Sequence, residues 1–247
     1  MIKFFRHIRQ NLLMENKTGK YFKYAIGEII LVVIGILIAL SINNWNQNRI
    51  TSIEEKNILK NLNTEFKTNK AFLKTDLESN YNSLKIGKTI INLIGVNEDS
   101  LRKINIDKLL YDIFENGDIL FSENTILALI QSGKFQIIKS EKLKNLIFEW
   151  TQQKAESKDI HDQMSTKTDN LINYLYKKYP VKNMDAYGKL KWKKPSAIKI
   201  NKFLIFKDIE FENIIDDYLY NLTNFIESQK TLQLIIENII EETEYND

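Results

Sequence analysis

The chain has 247 residues, with 35 Lys and Arg against 32 Asp and Glu, 43% hydrophobic residues and no cysteine. That composition belongs to a chain able to fold around a core, not to a disordered one. The missing cysteines exclude disulfides, cysteine-ligated zinc, iron–sulfur clusters and thiol catalysis.

The net charge of +3 is unevenly spread. Residues 1–24 carry Lys3, Arg6, Arg9, Lys17, Lys20 and Lys23 against Glu15, a local +5. An uncharged run from Ile29 to Ile42 follows, and between Tyr21 and Ile42 the only charges are Lys23 and Glu28. About 20 apolar residues cross a bilayer core as helix. Nearly every position is apolar, so no polar face remains to meet water as a globular helix would require. Lys20, Tyr21, Lys23, Tyr24 and Trp45 stand where interfacial residues belong. Ala39-Leu40-Ser41 could imitate a signal-peptidase site, but the basic stretch before the run is long and Asn43-Asn44-Trp45 resembles a membrane exit. The reading is a signal-anchor. Residues 1–24 form a cytoplasmic tail, 25–45 a transmembrane helix and 46–247 an extracytoplasmic domain, which in a bacterium means the inner membrane and the periplasm.

Glu28 is costly inside a membrane and calls for a partner. On a helix, Gly35 and Ala39 fall within about 20° of it on either side. Small residues permit close helix approach in lipid, and a polar group adds a directional contact. Either this stripe packs against another transmembrane helix, or Glu28 snorkels to the headgroups beside Lys23 and Tyr24.

The stretch Lys17–Asn46, KTGKYFKYAIGEIILVVIGILIALSINNWN, resembles the opening of a family of small bacterial membrane proteins known only as a domain of unknown function. Residues Ile126–Ile147, ILALIQSGKFQIIKSEKLKNLI, resemble the middle of that family. Ser41 and Gln47 depart from its pattern, where Gln and Glu are expected. The resemblance implies a single-pass membrane protein with a helical domain. It implies no reaction.

Between Gly35 and Gly87 there is no glycine or proline. Ile53, Leu59, Leu62, Phe66, Leu73, Leu77, Tyr81, Leu84 and Ile91 mostly recur at helical spacing, predicting a long amphipathic helix over about 50–94, able to continue the membrane helix. Two short helices are expected next, 108–115 capped by Asp107 and 123–132 capped by Ser122 and closed by Gly133. Lys134–Lys139 reads as extended. A helix then starts at Ser140-Glu141 and runs to Tyr179-Pro180 through a polar middle, Thr151–Asp159. After a stretch without period at 180–207, a final helix over 208–243 buries Phe211, Ile215, Leu219, Leu222, Phe225, Leu232, Leu234 and Ile235, among others. The fold class is all-α: one N-terminal transmembrane helix, then an elongated antiparallel bundle of about three long and two short helices.

Residues 177–207 hold ten lysines and one acid, a local +9, interleaved with Tyr179, Tyr187, Trp192, Phe203 and Phe206. Such a mixture suits single-stranded nucleic acid or anionic lipid. The absence of Arg and the extracytoplasmic placement argue against nucleic acid as a partner. Residues 208–247 carry a local −10, so the two stretches could neutralise each other. The alternative is a functional basic surface centred on Lys189, Lys191, Trp192, Lys193 and Lys194.

No phosphate loop, GxSxG or HExxH pattern occurs. His161 has Asp159 and Asp162 beside it on other helix faces, which reads as a surface histidine with no metal site. No cofactor and no enzymatic activity are expected. The leading function is a binding or scaffold protein tethered to the bilayer, self-associating or joined to a membrane-protein partner. The alternative is a periplasmic sensor or ligand-binding subunit that acts through a membrane partner.

Overall fold

With no breaker between Gly35 and Gly87, the backbone forms one uninterrupted helix, α1 (Thr18–Ile91). The computed structural model describes residues 18–115, 117 and 120–244. No strand occurs among them, and the all-α expectation holds. The expected long helix and membrane helix are thus one element, and Gly95, at φ 75°, turns the chain after it. The chain divides into two compact units, Met1–Asn57 and Ile58–Asp247.

In the second unit α1 and α5 (Glu141–Lys178) run in one direction and α7 (Ile209–Thr243) runs against both. At one end, Asn63 Nδ2 donates to the Ile240 carbonyl and to Thr243 Oγ1, both at 3.1 Å, and Lys142 reaches Glu242 at 2.7 Å. At the other end, Lys178 lies 3.5 Å from Asp208, and the Gly95 N–H donates to the Phe206 carbonyl at 2.8 Å. The chain returns between α1 and α5 through α2 (Glu98–Leu101), α3 (Ile106–Asp112), α4 (Asn124–Gln131) and a 3₁₀ turn at Lys134–Ile137. The bundle is therefore antiparallel with a broken second layer. After α5 come α6 (Val181–Met184) and a second 3₁₀ turn, Lys202–Lys207.

Apolar residues at helical spacing fill the core. Leu62, Phe66, Leu73, Ile90, Trp150, Phe211 and Leu222 are fully buried. Phe66 meets Trp150 edge to face at 5.2 Å, a geometry that adds about 1 kcal/mol beyond area burial. Three expected core residues are exposed, Ile53, Tyr81 and Leu234. Ile53 precedes the second unit, and Tyr81 lies outside under the Lys230 ammonium at 5.6 Å. At Leu234 the inward positions are taken by Leu232, Ile235 and Ile236.

Two expected caps are different in the structure. Asn105 caps α3, its Oδ1 accepting from the Lys108 N–H at 3.1 Å. Asp107 instead accepts from the Tyr179 hydroxyl at 2.5 Å and from Lys202 Nζ at 2.6 Å. The start of α4 is held by another helix altogether. Buried Glu65 of α1 accepts from the Ser122 hydroxyl at 2.5 Å and from the Thr125 N–H at 3.0 Å. One turn on, buried Asn69 donates to the Ser122 carbonyl at 2.9 Å and accepts from the Ser122 N–H at 2.8 Å. This clamp fastens the broken layer to α1 and supplies the acceptor an N-terminal turn needs. Lys134–Lys139, expected to be extended, is mostly the 3₁₀ turn. Ser140 caps α5, and Gly133 adopts φ 68°, both as expected.

The polar middle of α5 stays helical. Ser157 is buried there, and its Oγ lies 3.0 Å from Ser228 Oγ on α7. A neighbouring polar layer joins α1 to α7: Asn80 Nδ2 donates to Gln229 Oε1 at 3.0 Å inside the core. Among the described residues, Asn80 Oδ1 and Gln229 Nε2 find no further partner.

Candidate functional site

Two surfaces and one cleft stand out. The first surface is the N-terminal half of α1, the one described helix long and apolar enough to cross a membrane. No side chain in its most apolar window is buried. Among the described residues nothing covers this stretch, which has no polar face. Tyr24 and Trp45 are exposed near its two ends, and Lys23 is exposed beside Tyr24. Lys20 and Tyr21 belong to the same helix, with side chains outside the described set, and the tail basic residues Lys3, Arg6, Arg9 and Lys17 lie outside the described residues. Helical continuity places Glu28, Gly35 and Ala39 on one stripe. At Gly35 a Cβ would meet nothing of this chain within 4 Å, so the stripe opens outward, and Glu28 beside it is half-buried.

The second surface is the end of the bundle formed by 179–207 against α2 and α3. Ties hold its base. Asn105 Nδ2 donates to the Tyr187 hydroxyl at 2.7 Å, Asn201 Nδ2 donates to Glu98 Oε2 at 3.0 Å, and the Ser196 N–H donates to Asn183 Oδ1 at 2.8 Å. A Cβ at Gly188 would sit 2.8 Å from the Tyr111 ring, so only glycine lets the backbone approach that closely. Burial, reinforced by the hydrogen bond to Asp107, pushes the Tyr179 phenol well above its ordinary range. Buried Tyr174 is raised likewise, with Asp208 as its acceptor.

The mutual neutralisation of 177–207 and 208–247 is largely not what the ion pairs show. The acids of α7 and its end meet lysines of α1 and α5: Glu237 with Lys70 at 2.9 Å, Glu242 with Lys142 at 2.7 Å, Asp217 with Lys167 at 2.9 Å and Glu244 with Lys67 at 3.7 Å. Lys70 and Lys142, through their hydrogen bonds, hold the Glu237 and Glu242 carboxyls below the ordinary range. Among the described residues, Lys178–Asp208 is the pair that joins the two stretches. Lys189, Lys191, Lys193 and Lys194 are exposed, and none takes part in an ion pair among the described residues. Trp192 is partly exposed, with Lys182 Nζ 5.5 Å from its ring centre.

The cleft, of about 440 Å³, is lined by Glu123, Lys154, Ser157, Lys158, His161 and Phe225 with their neighbours. His161 is not the freely solvated residue its neighbours suggested. Its ring packs on Phe225 at 5.1 Å, and its Nδ1 lies 3.7 Å from Asp162. Lys154 pairs with Glu123, and Lys158 with Asp162 at 2.8 Å. Among the described residues no cluster of three His, Asp or Glu could hold a metal ion.

The sequence reading missed the Glu65–Asn69 clamp. Its signal was two polar residues on the buried stripe of Leu62, Phe66 and Leu73. It also missed Leu190, Ile198 and Ile200, exposed apolar residues among the lysines.

No curated protein and no solved structure matches the chain. Residues 28–121 match a family described as a family of unknown function (DUF6090). The match takes in the whole uncharged run Ile29–Ile42, α1 from Glu28 onward, α2 and α3, and the second resembling block, Ile126–Ile147, lies beyond it.

Proposed function

We propose that the protein is a single-pass anchor of the bacterial inner membrane, with residues 1–24 cytoplasmic and the helical unit in the periplasm. In this reading it is a non-enzymatic binding or scaffold protein. The observation that carries the anchoring is the uncovered apolar helix around Ile29–Ile42, and the local +5 before it supports the orientation. The Glu28–Gly35–Ala39 stripe is its contact with a second transmembrane helix, from another copy or from a partner.

Fusions to alkaline phosphatase and to green fluorescent protein at residue 244 test the reading. An active phosphatase and a dark fluorescent protein are expected, and the reverse pattern refutes it. Crosslinking in membranes tests the stripe. Gly35→Leu should abolish a crosslinked species seen with the parent chain, and an unchanged crosslinking pattern removes the stripe as the contact.

The cleft beside His161 favours a second reading, a ligand-binding subunit, because its walls combine an apolar ring with charged groups, as small-molecule sites do. A rise in melting temperature on adding small anionic or amphiphilic compounds, lost in Phe225→Ala, would support it.

A further inference from the structure

Residues 186–201 carry five lysines and no acid. Between the lysines stand apolar side chains that the fold leaves in water, with Leu190 59%, Trp192 47%, Ile198 74% and Ile200 47% exposed. Lys191 is the non-glycine residue with positive φ among the described residues, at 47°. A left-handed lysine is strained and persists where surrounding structure imposes it. Here the hydrogen bonds at Tyr187 and Ser196 hold the two sides of the turn. The loop is presented, and among the described residues none of its lysines takes part in an ion pair, while Lys182 Nζ lies 5.5 Å from the Trp192 ring centre.

Each of these features is unfavourable in water, and one environment relieves them together. Five ammonium groups without an ion pair among the described residues repel one another, and the aliphatic side chains among them leave about half or more of their surface in water. At the headgroup boundary of an anionic bilayer the ammonium groups meet phosphates while tryptophan and aliphatic side chains enter the acyl edge. Nucleic acid fits less well. Base stacking needs flat faces, whereas Leu190, Ile198 and Ile200 offer none, and there is no Arg to grip a phosphate at two points.

The loop's place within the second unit is distinctive. The chain enters that unit at Ile58, and the loop packs on α2 and α3, beyond the Ile91 end of α1. The 34 residues of helix from Ile58 to Ile91 correspond to about 50 Å. Within the second unit the lysine loop therefore lies at the Ile91 end of α1.

We propose that residues 186–201 dock on a phospholipid bilayer surface bearing anionic headgroups, with Lys189, Lys191, Lys193, Lys194 and Lys199 on the phosphates and Trp192 and the aliphatic side chains in the interface. This goes beyond the anchoring reading and does not depend on its orientation.

The test holds the full chain in nanodiscs of phosphatidylcholine alone and adds free vesicles. Co-flotation with phosphatidylglycerol vesicles and none with phosphatidylcholine vesicles is expected. A lysine near an anionic surface is worth about a fivefold gain in affinity. The variant Lys189→Gln, Lys191→Gln, Lys193→Gln, Lys194→Gln should lose on the order of several-hundredfold at low salt. Trp192→Ala, which keeps every charge, should lose about tenfold. Far-ultraviolet circular dichroism identical to the parent shows that both variants fold. Equal flotation with the two lipids overturns the proposal, as does an undiminished affinity of the four-lysine variant. Displacement by millimolar inorganic phosphate at constant ionic strength, or by a short single-stranded oligonucleotide, overturns it as well, because either makes the surface a general anion site.

Discussion

Glu65 offers the most incisive perturbation of the fold. Its carboxylate, 8% exposed, accepts from the Ser122 hydroxyl at 2.5 Å and the Thr125 N–H at 3.0 Å. Glu65→Ala leaves both donors without their acceptor at the first turn of α4. A hydrogen bond to a charged group contributes about 1.5–3 kcal/mol, and water entering the vacated space restores part of that. The net loss should be about 2–4 kcal/mol. Glu65→Gln keeps one acceptor but turns an NH₂ toward a donor, so about half that loss is expected. Urea unfolding of the full chain in detergent can be followed by Trp150, which touches Phe66 at 5.2 Å and Phe121 at 6.1 Å. Hydrogen exchange should also speed up over residues 125–131 before it changes elsewhere. A double-mutant cycle with Ser122→Ala should return a coupling of about 0.5–2 kcal/mol. A Glu65→Ala chain within about 0.5 kcal/mol of the parent, with unchanged exchange in α4, would refute the idea that α1 holds the broken layer.

Three further outcomes follow from the geometry. A Cβ at Gly87 would lie 2.4 Å from Leu219 Cδ2, so Gly87→Val should overpack the α1–α7 crossing and cost about 1–3 kcal/mol by urea titration. Asn80→Leu alone strands Gln229 in the core and should cost about 1–3 kcal/mol, whereas Asn80→Leu with Gln229→Met, which also removes the two unpaired atoms, should be neutral or stabilising in the same titration. The Tyr179 phenol is raised in the folded chain by burial and by Asp107. Its contribution is therefore full below the unfolded tyrosine value of about 10 and lost as pH rises beyond it. Melting temperatures should fall above about pH 10, and Tyr179→Phe should lessen that fall, leaving the share of Tyr174, which is raised in the same direction.

The long helices were legible because their apolar residues repeat over many turns and nothing breaks them. Leu62, Phe66, Leu73, Phe211 and Leu222 lie in the core as their spacing required. The broken layer was less legible, because its short helices are fixed by distant groups. Ser122 looks like a cap in its own sequence, yet the carboxylate that holds α4 comes from Glu65, 57 positions earlier. Asp107 likewise looks like a cap and is used instead to bind Tyr179 and Lys202. Local propensity cannot report such partners. Whether the two charged stretches meet was left open by the sequence for a related reason. Net charges of adjacent stretches say nothing about which helices lie side by side, and α7 faces the lysines of α1 and α5. The apolar helix around Ile29–Ile42 was legible from composition alone, since that run carries no charge and no polar face.

The absence of native cysteine permits the most direct test of the central claim. Tyr220, 67% exposed on α7, is replaced by Cys in one chain and Asn16 by Cys in another. A membrane-impermeant maleimide is then applied to spheroplasts. The account predicts that Tyr220→Cys is labelled at once and that Asn16→Cys is labelled only after detergent. Labelling of Asn16→Cys with protection of Tyr220→Cys would invert the topology. Protection of both would place the helical unit on the cytoplasmic side and contradict the account.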